Sequence, residues 1–425
     1  MTKKFLTKLS LFLCCTLLLP IASTVSAAAT EPQIIGASAL TMDLDTGEVI
    51  YSKNANVERS LASTTKLLTS LLFAENIDKG TSIPYSAVSA GLQETTLNTN
   101  YMGNTVKAGD TMTVEDVMEA VLIFSANDAA IMMAEAVAGS VDAFANMMNE
   151  KAASLGATNT KFINPHGLET DSSTYNYTTA YDLALIAKAA YANDWIRETM
   201  LTPSTYVTIN GLRIDFDTRN KLLNQFGNVG GKTGTETMAG HCFVGFFNRD
   251  GRNLVTVVLG SEYGADGSNV FNDTKAIADY GYAAEKVAFK ASGEEVSTVD
   301  LEYKLFRFFG PTKTISVPVT LLEDAQYYKN EYTDANAAIT FSGDTSNAWK
   351  LASNNEVSLT FTAGSNSTPI SGELKLATSD LLKANAPIYI ATVLIIVIII
   401  VLVIVLISFI NKSRRRRNRR NRYYR

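Results

Sequence analysis

Ser63-Thr64-Thr65-Lys66 is the only S-x-x-K in the chain, and it stands directly ahead of the apolar residues Leu67, Leu68, Leu71 and Leu72. That pattern is expected to open a helix, where side chains three apart share one face. A serine hydroxyl is a weak nucleophile until a neighbouring base takes its proton. A lysine can be that base once burial or a nearby cation lowers its pKa. Ser125-Ala126-Asn127 is a second polar signal, at the end of a helical pattern. Lys232-Thr233-Gly234, the only K-T-G, lies in a strand-like stretch and is followed by Thr235. Its lysine and hydroxyl can hold a carboxylate, and its glycine lets a ligand backbone lie close to the strand. Singly, each signal has an ordinary explanation: a capping serine beside a solvated lysine, a turn, a strand residue.

Other chemistries are starved of residues. The chain has two histidines, His166 and His241, and three cysteines, of which Cys14 and Cys15 sit in the apolar N-terminus. Cys242 alone gives no intramolecular disulfide, and a Cys/His zinc cage lacks ligands, so no metal and no cofactor are expected. Cys242 itself reads as a small buried hydrophobe. There is no HExxH and no G-x-S-x-G. Gly231-Lys232-Thr233 mimics the end of a phosphate-binding loop, but Phe226 occupies the position of the required first glycine.

The elements that must position these residues follow from periodicity. Residues 34–290 mix strands and helices. Strands are expected at 37–43 and 48–52 around the turn Asp45-Thr46-Gly47, and at 229–236, 242–248 and 254–260. Thr113 is placed to cap a helix carrying Val114, Val117, Met118, Val121 and Leu122 at helical spacing. Further helices are expected at 126–139, 141–155, 179–192 and 271–288. A linker at 291–295 leads to short β-branched segments at 299–308, 314–321, 338–341, 357–362 and 371–376. These read as an all-β sandwich domain spanning 296–380.

The termini differ from this body. Residues 1–27 have the layout of a signal peptide: Lys3, Lys4 and Lys8, an apolar stretch over 9–21, then small residues up to Ala29. Residues 388–410 are 23 consecutive uncharged residues dominated by Ile, Val and Leu, long enough for a transmembrane helix. Lys412 and Arg414–Arg417 follow, making 411–425 a cytoplasmic tail by the positive-inside rule. Of 37 Lys/Arg, 12 lie in the two termini, leaving 25 against 42 acids, a net of −17 for the body. That charge excludes a nucleic-acid-binding surface there.

In the order S-x-x-K, S-x-N, K-T-G, the sequence resembles the serine D-alanyl-D-alanine carboxypeptidases, the low-molecular-mass penicillin-binding proteins. Similar to that family too are Val114-Glu115-Asp116, Ser125 to Ala130, Phe144, Met148-Asn149, Leu155-Gly156, Asn164 to Leu168 and Leu222-Leu223. The likeness spans residues 34–290 and implies a transpeptidase/β-lactamase-like α/β (α+β) domain over 31–290, an antiparallel sheet flanked by helices. It implies that Ser63 attacks, Lys66 is its base, and Ser125 relays a proton to the leaving amine. Asn127, Lys232, Thr233, Gly234 and Thr235 would bind substrate, with the N–H groups of Ser63 and Thr235 as oxyanion hole. Implied partners are peptidoglycan stem pentapeptides and β-lactam antibiotics. The resemblance puts His166 in a loop shaping the cleft, and His241 takes a structural role. Tyr181 departs from the arginine common in the family, and Thr235 from a histidine found in some relatives. Two alternatives remain: a class A-like β-lactamase, whose E-x-x-[LV]-N stretch is missing between Ser125 and Lys232, and a catalytically silent wall-binding scaffold.

Overall fold

The computed structural model describes residues 29–97, 106–171 and 173–423; the expected signal peptide at 1–27 lies outside the described residues. Strands β1 (Ser38–Asp43), β2 (Val49–Lys53), β3 (Asn228–Glu236), β4 (Gly240–Arg249) and β5 (Arg252–Ser261) form one sheet in the order β2-β1-β5-β4-β3. Every neighbouring pair is antiparallel. Successive side chains of a strand point to opposite faces. Leu40, Met42, Val244, Phe246, Val255 and Val257 therefore enter one core, and Ala39, Phe243, Phe247 and Val258 the other. Burial on both faces explains why these strands read as nearly continuous apolar runs.

Among the helices packed about the two faces are α1 (Lys66–Asn76), α2 (Val114–Glu119), α3 (Asn127–Ala138), α4 (Val141–Ser154), α5 (Ala180–Ala192) and α6 (Asn269–Ala283). Val270, Phe271, Ile277 and Ala278 of α6 close the second core, while α1, α3 and α5 fill the first. Helix α6 stops at Ala283, short of the expected 288, because Val287–Lys290 is a strand paired with Ala325–Tyr327. That pairing moves the boundary of the second module back from the expected 291–295 linker to residues 284–286.

The all-β sandwich expected for the second module is not confirmed. Strands β6 (Glu295–Lys304), β7 (Thr312–Leu321), β8 (Ala338–Phe341), β9 (Glu356–Ala363) and β10 (Asn366–Leu374) form a single sheet, ordered β6-β7-β10-β9-β8. Its core is completed by the two-stranded ribbon, with Phe289 stacked on Phe361, and by short helices at Ala348–Leu351 and Thr378–Ala384, while a third short helix, Glu331–Ala335, packs on β2 of the first domain with Tyr332 in that domain's core. Helices of one or two turns, capped by Asn330 and Asn347, are too short to print a helical period. The module is fastened to the first domain at β2. Ser52 Oγ donates to Asn330 Oδ1 at 2.9 Å, Asn330 Nδ2 donates to the Val49 carbonyl at 3.0 Å, and Tyr332 stacks on Tyr181 at 4.6 Å. The Tyr181 departure from the family pattern thus lies in this interface. The last described element is α7 (Ala386–Tyr423), whose residues 393–410 are exposed along its apolar length.

Candidate functional site

Ser63 lies in a 3₁₀ turn, Ala62–Thr65, that runs directly into α1. Residues three apart eclipse in such a turn, which stacks the Lys66 side chain beneath Ser63. Ser63 makes no capping bond; Thr64 Oγ1 and Thr65 Oγ1 instead donate to the Leu61 and Ala62 carbonyls at 2.6 and 2.7 Å. Ala62 is held at φ +45°, a left-handed conformation uncommon outside glycine. The loop Asn164-Pro165-His166-Gly167-Leu168 presses on the turn from behind. A Cβ on Gly167 would land 1.9 Å from the Ala62 carbonyl oxygen, so only glycine permits that approach. Thr69 Oγ1 donates to the Pro165 carbonyl at 2.6 Å and fixes the loop to α1.

Ser125 is delivered by a different device. Thr113 caps α2 through Asp116 N–H at 3.1 Å, as its position implies. Helix α2 then widens into a π turn, Ala120–Phe124, and Ser125 follows at φ +74°. The widened turn, closed by Ala126 N–H to the Ala120 carbonyl at 2.9 Å, lifts Ser125 out of the helical path. Asn127 then opens α3. Its N–H donates to the Thr95 carbonyl at 2.9 Å and its Nδ2 to the Glu94 carbonyl at 2.8 Å, which turns Oδ1 toward Lys66. Buried Asp128 anchors the same loop, accepting from Leu97 N–H and Tyr85 hydroxyl, both at 2.8 Å; burial pushes its pKa up to about 6.

The K-T-G segment occupies β3, the edge strand, with Gly234 opposite Cys242 and Thr235 opposite His241. A Cβ on Gly234 would meet Ser63 N and the Leu61 carbonyl oxygen, both at 3.0 Å. The strand therefore abuts the Ser63 turn backbone to backbone. Ser63, Ser125, Asn127, Thr233, Gly234 and Thr235 line one open cleft of about 370 Å³, with Lys66 and Lys232 buried in its floor. All eight candidate residues are thereby brought together.

Lys66 Nζ stands 2.7 Å from Ser63 Oγ, 2.6 Å from Asn127 Oδ1 and 2.7 Å from the His166 carbonyl oxygen. Burial lowers its pKa to about 7, with Arg219 adding to the fall and the Glu236 and Asp128 carboxylates opposing it. Lys232 Nζ donates to Ser125 Oγ at 2.9 Å and to the Thr233 carbonyl at 3.0 Å. Burial holds Lys232 well below the ordinary lysine value, helped by the charges of Lys66 and Arg219. Desolvation, rather than repulsion between the two lysines, is thus the leading reason that Lys66 can be an uncharged amine near neutral pH.

A sequence profile of the D-alanyl-D-alanine carboxypeptidase family matches residues 25–263. The chain belongs to that family of serine peptidases. D-alanyl-D-alanine carboxypeptidase DacF of Bacillus subtilis is 33% identical over 229 residues, covering 53% of this chain and 57% of the relative. DacB2 of Mycobacterium tuberculosis is 33% identical over 243 residues, covering 57% of this chain and 80% of the relative. Penicillin-binding protein D2 of Listeria monocytogenes, solved in its ampicillin-bound form, aligns at a TM-score of 0.52 with 26% identity, covering 60% of this chain and all of that one. The penicillin-binding, transpeptidase-like α/β fold is thereby shown for the first domain.

Within this carboxypeptidase-family cleft, two contributors stand outside the eight candidate residues: His166, expected only to shape the cleft, and Arg219, which no motif marks. His166 acts through its backbone: its carbonyl faces Lys66 and Ser63, while its Nδ1 accepts from Leu168 N–H at 3.1 Å. Burial, with Lys66 nearby, pushes that imidazole down to about 3, so its ring is neutral. Arg219 also lines the cleft, its guanidinium 4.9 Å over the Phe124 ring, which stacks on Phe216. His241 lines the cleft beside Tyr263, ring centroids 5.0 Å apart. Cys242 is fully buried among the sheet's apolar residues, and its thiol is pushed up to about 12 by that burial. Among the described residues no three His, Cys, Asp or Glu side chains gather as a metal site.

Proposed function

We propose that the protein is a membrane-anchored D-alanyl-D-alanine carboxypeptidase that removes the terminal D-Ala of peptidoglycan stem peptides through a Ser63 acyl-enzyme. The observation that carries this is the set of three partners around Lys66 Nζ. A neutral amine has two N–H donors and one lone pair. The His166 carbonyl and Asn127 Oδ1 can only accept, so they take both donors, and the lone pair is left facing the Ser63 hydroxyl. The base is aimed before substrate arrives.

In this reading Ser63 Oγ attacks the carbonyl of the penultimate D-Ala as Lys66 takes its proton. The N–H groups of Ser63 and Thr235 receive the oxyanion, each such donor contributing ~3 kcal/mol to the transition state. Ser125 Oγ, accepting from Lys232, has its own proton free for the departing amine. Arg219 joins Lys232, Thr233 and Thr235 in holding the terminal carboxylate, and a carboxylate drawn into this basic corner favours the charged form of Lys232. Water, deprotonated by Lys66, then releases the shortened peptide. Penicillins, whose own carboxylate and strained amide fit the same groups, acylate Ser63.

The apolar helix α7 anchors the enzyme, with the catalytic domain outside and the Lys412–Arg417 segment inside. A helix over 388–410 reaches ~33 Å, against a hydrocarbon core of ~30 Å. Release of free D-alanine from a stem pentapeptide by the wild type, and none by Ser63→Ala, is the expected result; equal release by both would refute the assignment.

A further inference from the structure

Outside helix α7, the most exposed large apolar side chains among the described residues are two neighbours at one hairpin tip, Phe308 at 83% and Phe309 at 67%. They sit between β6 and β7. The tip is a closed turn: Phe306 N–H donates to the Phe309 carbonyl at 3.0 Å and Arg307 N–H to the Lys304 carbonyl at 3.0 Å. Arg307 lies 5.4 Å over the Phe308 ring. Single exposed apolar residues are ordinary, but adjacent rings on a tight, hydrogen-bonded tip call for a covering surface.

The contacts of the hairpin say which surface. Buried Asn385, just before α7, donates from Nδ2 to the Tyr303 hydroxyl and accepts from Lys313 Nζ, each at 2.8 Å. Four residues on, Tyr389 donates to the Leu305 carbonyl at 2.5 Å, and its ring lies 5.7 Å from that of Phe306. As the helix advances from 385 to 389, its partners on the hairpin advance from 303 to 306. Hairpin and helix therefore run side by side in one direction, and the tip residues 307–310 extend the way the helix is going, toward its apolar stretch. Tyr389 is in the first turn of that stretch, at the level of the outer headgroups if α7 spans.

We propose that the Phe306–Gly310 tip is a second membrane contact, inserting the rings of Phe308 and Phe309 at the boundary between headgroups and acyl chains of the outer leaflet. This rests on the reading of α7 as a membrane span. Aromatic rings are favoured at that depth, and Arg307 is placed among the lipid phosphates. The partner is the lipid surface itself. A single spanning helix leaves a domain free to lean and swivel; a second contact on the module next to it fixes the lean. The module is fastened to the catalytic domain through Asn330 and Tyr332. The tip thereby sets the direction in which the Ser63 cleft faces.

The test uses the full chain with Cys14 and Cys15 replaced by serine, reconstituted into phosphatidylcholine vesicles. Cys242 is fully buried, so a cysteine introduced as F308C takes an NBD fluorophore selectively, and I398C, at mid-helix, serves as the anchor probe. The expected result is a roughly twofold loss of NBD emission at position 308 with lipid spin-labelled near the top of its acyl chain, and shielding from aqueous iodide. If position 398 is quenched by a lipid spin-labelled deep in its chain while 308 stays open to iodide and unquenched by either lipid, the tip contact is refuted and the anchor stands. If neither is quenched by lipid, the membrane reading itself fails and the tip contact with it.

Discussion

The base proposed at Lys66 makes a quantitative demand on pH. An ordinary lysine, with a pKa of about 10.5, is neutral in roughly one molecule in 3,000 at pH 7. Burial brings Lys66 to about 7, where half the molecules carry the free amine. That is a gain of ~10³ in the population of competent base, equivalent to ~4 kcal/mol of preference for the neutral form. Acylation of Ser63 by a fluorescent penicillin, followed by stopped flow at limiting reagent, is expected to rise about tenfold per pH unit below about pH 6 and to level above about pH 8. The midpoint should lie near 7. Glu236→Gln gives the sign. Its carboxylate is the leading charge that favours protonated Lys66, but burial, with Glu169 and Glu94 nearby, raises Glu236 itself to about 7. Removing it should therefore move the midpoint down and speed acylation at about pH 7 to 7.5, where it is charged, with little effect at about pH 6. A rate flat from about pH 6 to 9, or an upward shift in Glu236→Gln, would falsify the account of Lys66 as the buried base.

Three further outcomes are expected. Lys66→Ala should slow penicillin acylation by ~10²–10⁴-fold with an unchanged melting temperature, and normal acylation would remove Lys66 from the mechanism. Gly234→Ala should move β3 from the Ser63 turn by a few tenths of an ångström, because both atoms at 3.0 Å are backbone. A displacement of that kind should cost up to ~10-fold in acylation, measured by the same labelling, while the circular dichroism of the folded protein persists. Tyr332→Ala empties a site that is only 8% exposed and stacked on Tyr181. A loss of ~3–5 kcal/mol of packing is expected to speed proteolytic cutting at residues 284–286, with D-alanine release intact; unchanged cutting would mean that the modules are held by other contacts.

Elements whose signals are local were legible. The strand expected at 229–236 is found at Asn228–Glu236, and the helix expected at 179–192 at Ala180–Ala192, with Thr179 capping it through Asp182 N–H. Each depends on residues within one or two turns of chain. The hairpin Ser204–Ile209 with Leu212–Asp217, turned at Asn210-Gly211, is absent from the expected elements although Leu212 to Asp217 alternates apolar and polar and Asn-Gly is a hairpin turn. The sandwich expected at 296–380 was drawn from strand composition alone, which cannot say whether a second layer is sheet, ribbon or short helix.

The sequence by itself determined the chemical parts: a serine one turn from a lysine, a second serine two residues from an asparagine, a glycine beside a lysine and threonine on a strand. Those follow from residue type and short spacing. Their meeting is tertiary. Ser63, Asn127 and Lys232 are joined only because the 3₁₀ turn abuts an edge strand and a π turn throws Ser125 outward. The His166 carbonyl, a group every residue possesses, acquires its role from a loop packed so closely that Gly167 admits no Cβ. Burial is likewise a property of the assembled fold, and it is burial that takes the proton from Lys66. An ionisable group's affinity for its proton depends on the dielectric around it, which only the folded chain supplies.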